Sequence, residues 1–229
     1  MSETHQPAAP AGEGATARLR ISEIFHSLQG ESSRVGLPTV FVRLTGCPLR
    51  CRWCDTEYAF SGGQMLSLDE VLARIATFDC STICVTGGEP LAQKSCLSLL
   101  TALCDIGYSV SLETSGALDI STVDPRVARI VDIKAPGSAE VEKNRWENLA
   151  YLRSLDELKF VLASRDDYDW AVEACRQRRL LNGTTAILFS PVQGELAPAD
   201  LAAWILEDRL PVRFQLQLHK LLWADARGR

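Results

Sequence analysis

The alternation of short β-branched runs with longer segments of helical period most constrains what this 229-residue chain can fold into. From Arg18 onward the two kinds of segment alternate, which is typical of βα units around a parallel sheet. The pattern predicts strands over residues 39–44, 83–86, 108–113, 129–133, 158–162, 186–189 and 212–218. It predicts helices from about Ser67 and over residues 95–105, 140–154, 166–179 and 198–207. We therefore expect an α/β fold, an incomplete β/α barrel of about six βα units on a parallel sheet.

Local signals support the helix ends. Ser67 and Glu70 have the spacing of a capping box, in which each side chain bonds the other residue's backbone N–H. Gly107 suits the left-handed residue that ends a helix, and Pro198 suits a first helical position.

Polar and glycine-rich motifs follow five of the predicted strands. These are the cysteine loop after TVFVRL, Gly87-Gly88-Glu89-Pro90 after ICVT, Thr114-Ser115-Gly116 after VSLE, Lys134 after IVDI, and Ser190-Pro191-Val192-Gln193 after AILF. The carboxyl ends of barrel strands carry the active site in β/α barrels. We expect the motifs to meet there, around one site.

The run CPLRCRWC contributes three thiols, Cys47, Cys51 and Cys54, with no fourth cysteine nearby. A structural zinc site closes with four protein ligands, whereas an iron–sulfur cluster on three thiolates leaves one iron free to bind a ligand. Two alternatives stay open: a zinc knuckle that borrows a distant ligand, and a chance cluster of buried cysteines. The other cysteines lie in apolar or helical contexts and are expected to be small core residues: Cys80, Cys84, Cys96, Cys104 and Cys175.

Charge and composition exclude several classes of protein. A net charge of -5 counts against direct nucleic-acid binding, which needs clustered Lys and Arg. Residues 1–17 have no apolar signal-peptide core and are expected to form a flexible tail before one domain over 18–229. No run approaches the roughly 18 apolar residues of a membrane span, so we expect a cytoplasmic protein with free thiols. There is no GxSxG, GxGxxG or GxxxxGK motif.

Several residues near these motifs could contact ligands. Gly88 could offer a peptide edge to a group bound on the open iron, with Glu89 accepting a hydrogen bond or holding the loop; a plain strand-to-helix turn is the alternative. Glu113, Ser115 and Lys134 could contact the rest of a charged nucleoside cofactor, although Lys134 could instead pair with Asp132 or Glu113.

A second group of residues suits a heterocyclic substrate. Gln29 has the donors and acceptor for a heterocycle edge, and Arg43 could bind a carboxylate or form a structural salt bridge. Thr56 offers a hard oxygen of the kind that suits Mg²⁺ but also fits an ordinary turn. His219 is expected to end the last strand and point toward the same site.

CPLRCRWC followed by VTGGEP resembles the radical S-adenosylmethionine superfamily, and FHSLQGE, WCDT, LETSG and QLHK resemble its 7-carboxy-7-deazaguanine synthases. The resemblance runs from about Arg18 to Trp223. It implies a 4Fe-4S cluster on Cys47, Cys51 and Cys54 with S-adenosylmethionine on the fourth iron. Reductive cleavage of that cofactor would give a radical that takes hydrogen from C6 of 6-carboxy-5,6,7,8-tetrahydropterin. Ring contraction with loss of ammonia would then yield 7-carboxy-7-deazaguanine, on the way to queuosine in tRNA.

The resemblance also implies roles for residues, partners and assembly. It implies substrate contacts by Leu28, Gln29, Gly30, Glu31, Arg43, Thr86 and His219, and Mg²⁺ binding by Thr56. It implies cofactor contacts by Trp53, Cys54, Asp55, Gly88, Glu89, Glu113, Ser115, Asp132, Ile133, Lys134, Ser190, Pro191, Val192 and Gln193. A homodimer and an electron donor such as a flavodoxin are further expectations, whereas no catalytic proton-transfer residue is identified.

Three segments depart from the family pattern. Asp132-Ile133-Lys134 stands where many members have Ser-Pro-Lys, SPVQGEL replaces the more usual Gln-Pro opening, and ADARGR extends beyond Trp223. Two other functions stay as alternatives: an activase of glycyl-radical enzymes, which shares the cysteine motif and GGEP, and a zinc-binding or RNA-associated module.

Overall fold

The computed structural model describes residues 17–183, 185–224 and 226–229. The strands are β1 Arg18–Leu28, β2 Pro38–Leu44, β3 Gln64–Ser67, β4 Thr82–Gly87, β5 Ser109–Thr114, β6 Ala128–Lys134, β7 Glu157–Leu162, β8 Ala186–Pro191 and β9 Arg213–Phe214. The α-helices are α1 Leu68–Ala76, α2 Ser95–Ile106, α3 Arg165–Gln177, α4 Pro198–Glu207 and α5 Leu218–Trp223. The flexible tail expected over 1–17 lies, except for Ala17, outside the described residues.

The strands form one open sheet in the order β3-β1-β2-β4-β5-β6-β7-β8-β9. Strands β2 and β4 to β9 pair in parallel, whereas β1 runs antiparallel to β2 and to β3. The predicted α/β fold with an incomplete barrel is therefore confirmed. Because the polar motifs follow parallel strands, they all emerge at the same edge of the sheet.

Helix α1 begins, and helix α2 ends, where the sequence indicates. Ser67 and Glu70 form the predicted capping box at α1, which buries Leu68, Val71 and Ile75 against the sheet. Helix α2 ends at Gly107, whose φ of 99° is in the left-handed region that favours glycine.

The predicted helix over 140–154 is wrong. The structure has two short 3₁₀ segments there, Val141–Lys143 and Trp146–Tyr151. Two asparagine side chains of this segment form hydrogen bonds with backbone groups elsewhere in the fold, and the segment does not form a continuous helix. Asn144 exchanges hydrogen bonds of 2.8 Å with the backbone N–H and carbonyl of Lys134, and Asn148 donates to Gly116 and Leu118. This tethering holds the segment against the ends of β5 and β6.

The predicted strand over 212–218 is present but much shorter, over Arg213–Phe214. Only Arg213 and Phe214 pair with β8, and His219 lies in helix α5 rather than at a strand end. The chain leaves the sheet because Leu218 N donates to the Gly30 carbonyl at 2.9 Å, toward the loop after β1. The antiparallel strands β1 and β3 are not among the predicted strands.

The remaining five cysteines are free thiols, and Cys84, Cys96 and Cys175 are buried as predicted, whereas Cys80 and Cys104 are half-buried. Among the helices of the described residues, none combines the length and the apolar character that crossing a bilayer requires.

Candidate active site

The carboxyl ends of the parallel strands open onto a cavity of about 460 Å³. Of the residues predicted to form the site, those that line it are Leu28, Gln29, Gly30, Glu31, Arg43, Cys47, Cys51, Trp53, Cys54, Asp55, Thr56, Thr86, Gly88, Glu113, Ser115, Asp132, Lys134, Val192 and His219. Glu89, Ile133, Ser190, Pro191 and Gln193 are not among its lining residues. The structure thus brings motifs from distant parts of the chain around one volume.

The cysteine loop forms one wall of the cavity. Backbone hydrogen bonds fix its shape, from Cys54 N to the Cys51 carbonyl at 3.1 Å and from Arg52 N to the Ser138 carbonyl at 3.0 Å. Cys47, Cys51 and Cys54 are half-buried free thiols, and burial raises the pKa of each above its ordinary value. A bound metal ion deprotonates the thiols that coordinate it. The three cysteines would therefore become thiolates only when the metal binds.

The three thiol-bearing residues line the same cavity. Within the described ranges, no three His, Cys, Asp or Glu side chains are close enough together to hold a single metal ion. A cubane cluster takes each thiolate on a different iron, which requires thiols spread around one volume. Three thiols facing one cavity are a donor set that fits a three-cysteine cluster.

Gly88 and Glu89 connect the cysteine loop to the sheet. A Cβ atom added to Gly88 would lie 2.2 Å from the Gly46 carbonyl oxygen, so only glycine fits against the loop. Glu89 is fully buried, and its carboxylate accepts hydrogen bonds from Leu91 N, Thr114 Oγ1 and Ser115 N at 2.7–3.0 Å. Glu89 thus holds the ends of β4 and β5 together and does not reach the cavity.

A hydrogen-bonded group centred on Glu113 lies at the base of the cavity. Thr86 Oγ1 donates to Glu113 Oε2 at 2.8 Å, and Gln29 Nε2 donates to Glu113 Oε1 at 3.3 Å. Glu31 N in turn donates to Gln29 Oε1 at 3.2 Å. The loop after β1 is therefore fixed on β4 and β5.

Arg43 is paired across the sheet with Glu23. The two residues are register partners on β2 and β1, and Arg43 Nε donates to Glu23 Oε1 at 2.7 Å. Tyr58 O–H donates to the same oxygen at 2.6 Å, and burial together with this bond raises the pKa of Tyr58 to about 12. Within the described part of the chain no side chain bonds the two terminal nitrogens of Arg43, so a ligand carboxylate could take them.

Four charged side chains run along another wall of the cavity. Lys134 Nζ lies 3.2 Å from Asp132 Oδ1, Lys159 Nζ lies 3.4 Å from Asp132 Oδ2, and Lys159 also bonds Glu31 Oε2. Burial acts to lower the pKa of both lysines, but Asp132, and Glu31 in the case of Lys159, outweigh it and raise both values. Burial likewise acts to raise the pKa of Glu31, and Lys159 brings it below its usual range.

Helix α5 closes the cavity beside the cysteine loop. Asp55 Oδ2 lies 3.3 Å from Lys220 Nζ and 3.9 Å from His219 Nε2, and Thr56 Oγ1 donates to Asp55 Oδ1 at 2.8 Å. Burial acts to raise the pKa of Asp55, but His219, Lys220 and Thr56 outweigh it and hold the value far below its ordinary range. His219 thus lines the cavity as predicted, from a helix instead of a strand.

Several lining residues were missed in the sequence. They are Glu23, Tyr58, Lys159, Gln217, Lys220 and the C-terminal residues Arg227, Gly228 and Arg229. Lys159 could have been predicted from the alternation along β7. Leu158, Phe160 and Leu162 are fully buried on one face of the strand, and Lys159 lies on the other face. Glu23 would have followed from recognising β1, since Arg43 is its register partner.

Comparisons with known proteins fit this arrangement. Residues 41–134 match the Radical SAM superfamily. The chain is 50% identical over 216 residues to the 7-carboxy-7-deazaguanine synthase of Chlorobaculum tepidum. The alignment covers 93% of this chain and 98% of that protein. It is 44% identical to the synthase of Koribacter versatilis, over 90% of this chain and 97% of that protein.

Solved structures share the fold. The crystal structure of QueE from Escherichia coli superposes with a TM-score of 0.75 at 23% identity, over 92% of this chain and all of that one. Streptococcus suis SuiB bound to S-adenosylmethionine gives a TM-score of 0.51 at 12% identity, over 77% of this chain and 47% of that one.

Proposed function

The chain belongs to the 7-carboxy-7-deazaguanine synthase family of radical S-adenosylmethionine enzymes, and on that premise we propose a role for each part of its cavity. As a member, it is a lyase of queuosine biosynthesis that converts a small molecule. The proposed substrate is 6-carboxy-5,6,7,8-tetrahydropterin. One observation carries the assignment: the three thiols and the Gln29, Glu31 and Arg43 side chains line the same cavity.

Cys47, Cys51 and Cys54 would hold the 4Fe-4S cluster, and the peptide edge at Gly88 lies beside them for S-adenosylmethionine. When bound, cluster and cofactor supply a radical that abstracts hydrogen. Lys134, with Trp53, Asp55, Glu113, Ser115, Asp132 and Val192, would surround the rest of the cofactor. Lys134 is the proposed partner of its carboxylate, since its ammonium is only loosely aligned with Asp132.

The opposite end of the cavity would bind the pterin. Gln29 and Glu31 present an amide and a carboxylate, which match the donors and acceptors of an aminopyrimidinone edge. Arg43 would take the pterin carboxylate with its two terminal nitrogens while Glu23 retains Nε. Leu28, Gly30, Thr86 and His219 complete this end. Radical abstraction depends on positioning more than on acid–base groups, which suits a wall of amide and ion-paired contacts.

Four further expectations from the sequence analysis remain part of the proposal. They are Mg²⁺ bound through Thr56, an electron donor such as a flavodoxin, a homodimeric assembly and a cytoplasmic location. Omitting Mg²⁺ from the assay, exchanging the reductant and measuring the mass in solution by light scattering test the first three. Thr56 lines the cavity next to Asp55, where a substrate-bound cation could be reached.

The decisive experiment uses anaerobic protein reconstituted with iron and sulfide. With reductant, S-adenosylmethionine and 6-carboxytetrahydropterin, we expect 5'-deoxyadenosine and 7-carboxy-7-deazaguanine together. Cys51→Ala should abolish both products, and the matched control Cys80→Ala, a free thiol away from the cavity, should retain them. Cleavage of S-adenosylmethionine with the pterin left unchanged would contradict the proposed substrate.

A further inference from the structure

The ion-paired wall is one continuous chain of four side chains, Glu31, Lys159, Asp132 and Lys134. Lys159 occupies its centre, because its ammonium bonds Glu31 and lies 3.4 Å from the nearer oxygen of Asp132. Gln217 Nε2 donates to the other Glu31 oxygen at 2.7 Å, so both oxygens of that carboxylate are fixed. Lys134 then contacts the second oxygen of Asp132 at 3.2 Å.

The chain joins the two ends of the cavity. Glu31 belongs to the loop after β1 with Gln29, and Lys134 ends β6 beside the cysteine loop. Lys159 projects from β7, the strand between β6 and β8, and its side chain is 12% exposed. No group of the mechanism proposed above uses it.

A purely structural role does not account for this placement. A buried pair costs desolvation and adds little stability over apolar packing. The fully buried pair Arg129–Asp156 shows the structural form in this protein, since it bonds backbone carbonyls of Ile120 and Tyr151 away from the cavity. Lys159, in contrast, interacts with charged residues that face a cavity: Glu31, Asp132, Lys134 and Glu113.

We propose that Lys159 is a positioning residue that holds Glu31 and Asp132 together, so that binding at the cofactor end and binding at the pterin end favour each other. The inference rests on the proposed function, which places substrate at Glu31 and cofactor at Lys134.

The coupling follows from the order of the ion pairs. When Lys134 turns to a cofactor carboxylate, Asp132 loses one cation and Lys159 remains its only contact within the chain of four. Asp132 then interacts more strongly with Lys159, so the Lys159 ammonium is held more firmly between Asp132 and Glu31 than before, and Glu31 has both oxygens oriented to accept N–H donors from a heterocycle. The first ligand thus orders the residue that positions the second, and linkage makes the effect reciprocal.

Binding without turnover tests the coupling. With the reconstituted cluster left oxidised, S-adenosylmethionine is not cleaved, and its dissociation constant can be measured anaerobically with and without 6-carboxytetrahydropterin. We expect the pterin to tighten cofactor binding by roughly fivefold or more, within the usual range for coupled sites. Lys159→Met should reduce this factor to below about two, and Lys159→Arg should largely restore it. Lys143→Met, at an exposed lysine outside the cavity, should retain the wild-type factor.

A second variant keeps the test decisive if Lys159→Met does not fold. Glu31→Gln leaves Lys159 paired with Asp132 and breaks the chain at its pterin end. We expect it to weaken pterin binding and remove the coupling. Weakened pterin binding with the coupling intact overturns the inference but leaves the proposed function standing. Unchanged pterin binding instead contradicts the placement of substrate at Glu31, and a folded Lys159→Met with full coupling overturns the role of Lys159.

Discussion

At the scale of single residues, Arg43 combines two functions in one guanidinium. Its Nε is engaged by Glu23, and its face lies 6.0 Å from the Tyr58 ring. A lysine at this position could keep the pair with Glu23 or reach a substrate carboxylate, but could not do both with fixed geometry. A lysine at position 43 therefore tests whether Arg43 binds substrate in addition to forming its salt bridge with Glu23.

We expect Arg43→Lys to raise KM for the pterin roughly ten- to a hundredfold with a smaller change in kcat, because hydrogen bonds to charged groups contribute about 1.5–3 kcal/mol. Steady-state kinetics of the reconstituted enzyme give both parameters. The exposed Arg126 pairs with Asp105 and Asp124, so Arg126→Lys serves as control. An unchanged KM in Arg43→Lys would leave Arg43 only its structural role.

Gly88 is the second residue whose chemistry follows from its surroundings. A methyl group there meets backbone atoms of Gly46 and the Cys47 Cβ within 2.8 Å, none of which belongs to a flexible side chain end. We expect Gly88→Ala to displace the cysteine loop and lower bound iron after reconstitution well below that of Gly183→Ala. At Gly183 the nearest atom to an added Cβ is 3.3 Å away. Iron analysis with circular dichroism separates loss of cluster from loss of fold, and full iron loading would refute the argument.

At the scale of elements, the sequence predicted the parts whose form is set locally. Short β-branched runs located β4 to β8, and the Ser67 capping box and Gly107 located helix ends, because these signals act within a few residues. The helix predicted over 140–154 does not form because two asparagines bind backbone groups of β6 and of the loop after β5, which no local pattern records. The predicted strand 212–218 is shorter than expected for the same kind of reason, since Leu218 N donates to the Gly30 carbonyl instead of to a strand.

The tethered segment yields a stability prediction. Asn148 is buried, donates to the carbonyls of Gly116 and Leu118, and accepts from Ile120 N. We expect Asn148→Ala to lower the free energy of unfolding by about 2–4 kcal/mol, since it leaves several buried backbone groups unsatisfied. Urea unfolding measures the change. Asn182→Ala, at an exposed asparagine, should cost under about 0.5 kcal/mol, and equal effects would contradict the tether.

The candidate site shows the same division between local and distant determinants. The cysteine motif, Gly88 and Gln29 could be predicted as site residues from the sequence, because thiols, a glycine and an amide each suit only a few kinds of ligand contact. Tyr58 and Gln217 could not be predicted in this way. Each is held at the cavity by a hydrogen bond to a residue from a distant segment, Glu23 and Glu31 respectively. Contacts made by tertiary folding, rather than the motifs, thus supply much of the wall.

At the scale of the whole molecule, the open edge of the barrel is closed by the C-terminal segment. Helix α5 follows the two-residue strand β9 and returns to the loop after β1 through the Leu218–Gly30 hydrogen bond. Its ion pairs with the cysteine loop converge on Asp55, whose Oδ2 lies 3.3 Å from Lys220 Nζ. Arg227 continues the closure by stacking 4.1 Å from the centre of the Tyr58 ring.

Asp55 is therefore the point at which the cysteine loop holds the last helix of the chain. Asp55→Asn removes the charge that pairs with Lys220 and faces His219, so the helix should separate from the loop more often. We expect trypsin to cleave after Lys220 several-fold faster in Asp55→Asn than in the parent protein, as followed by mass spectrometry of the released C-terminal peptide. Asp69→Asn, an exposed carboxylate on α1, should leave that rate unchanged. If both variants are cleaved like the parent, the Leu218–Gly30 bond and the Arg227 stack are sufficient to hold the helix, and the closure does not depend on charge.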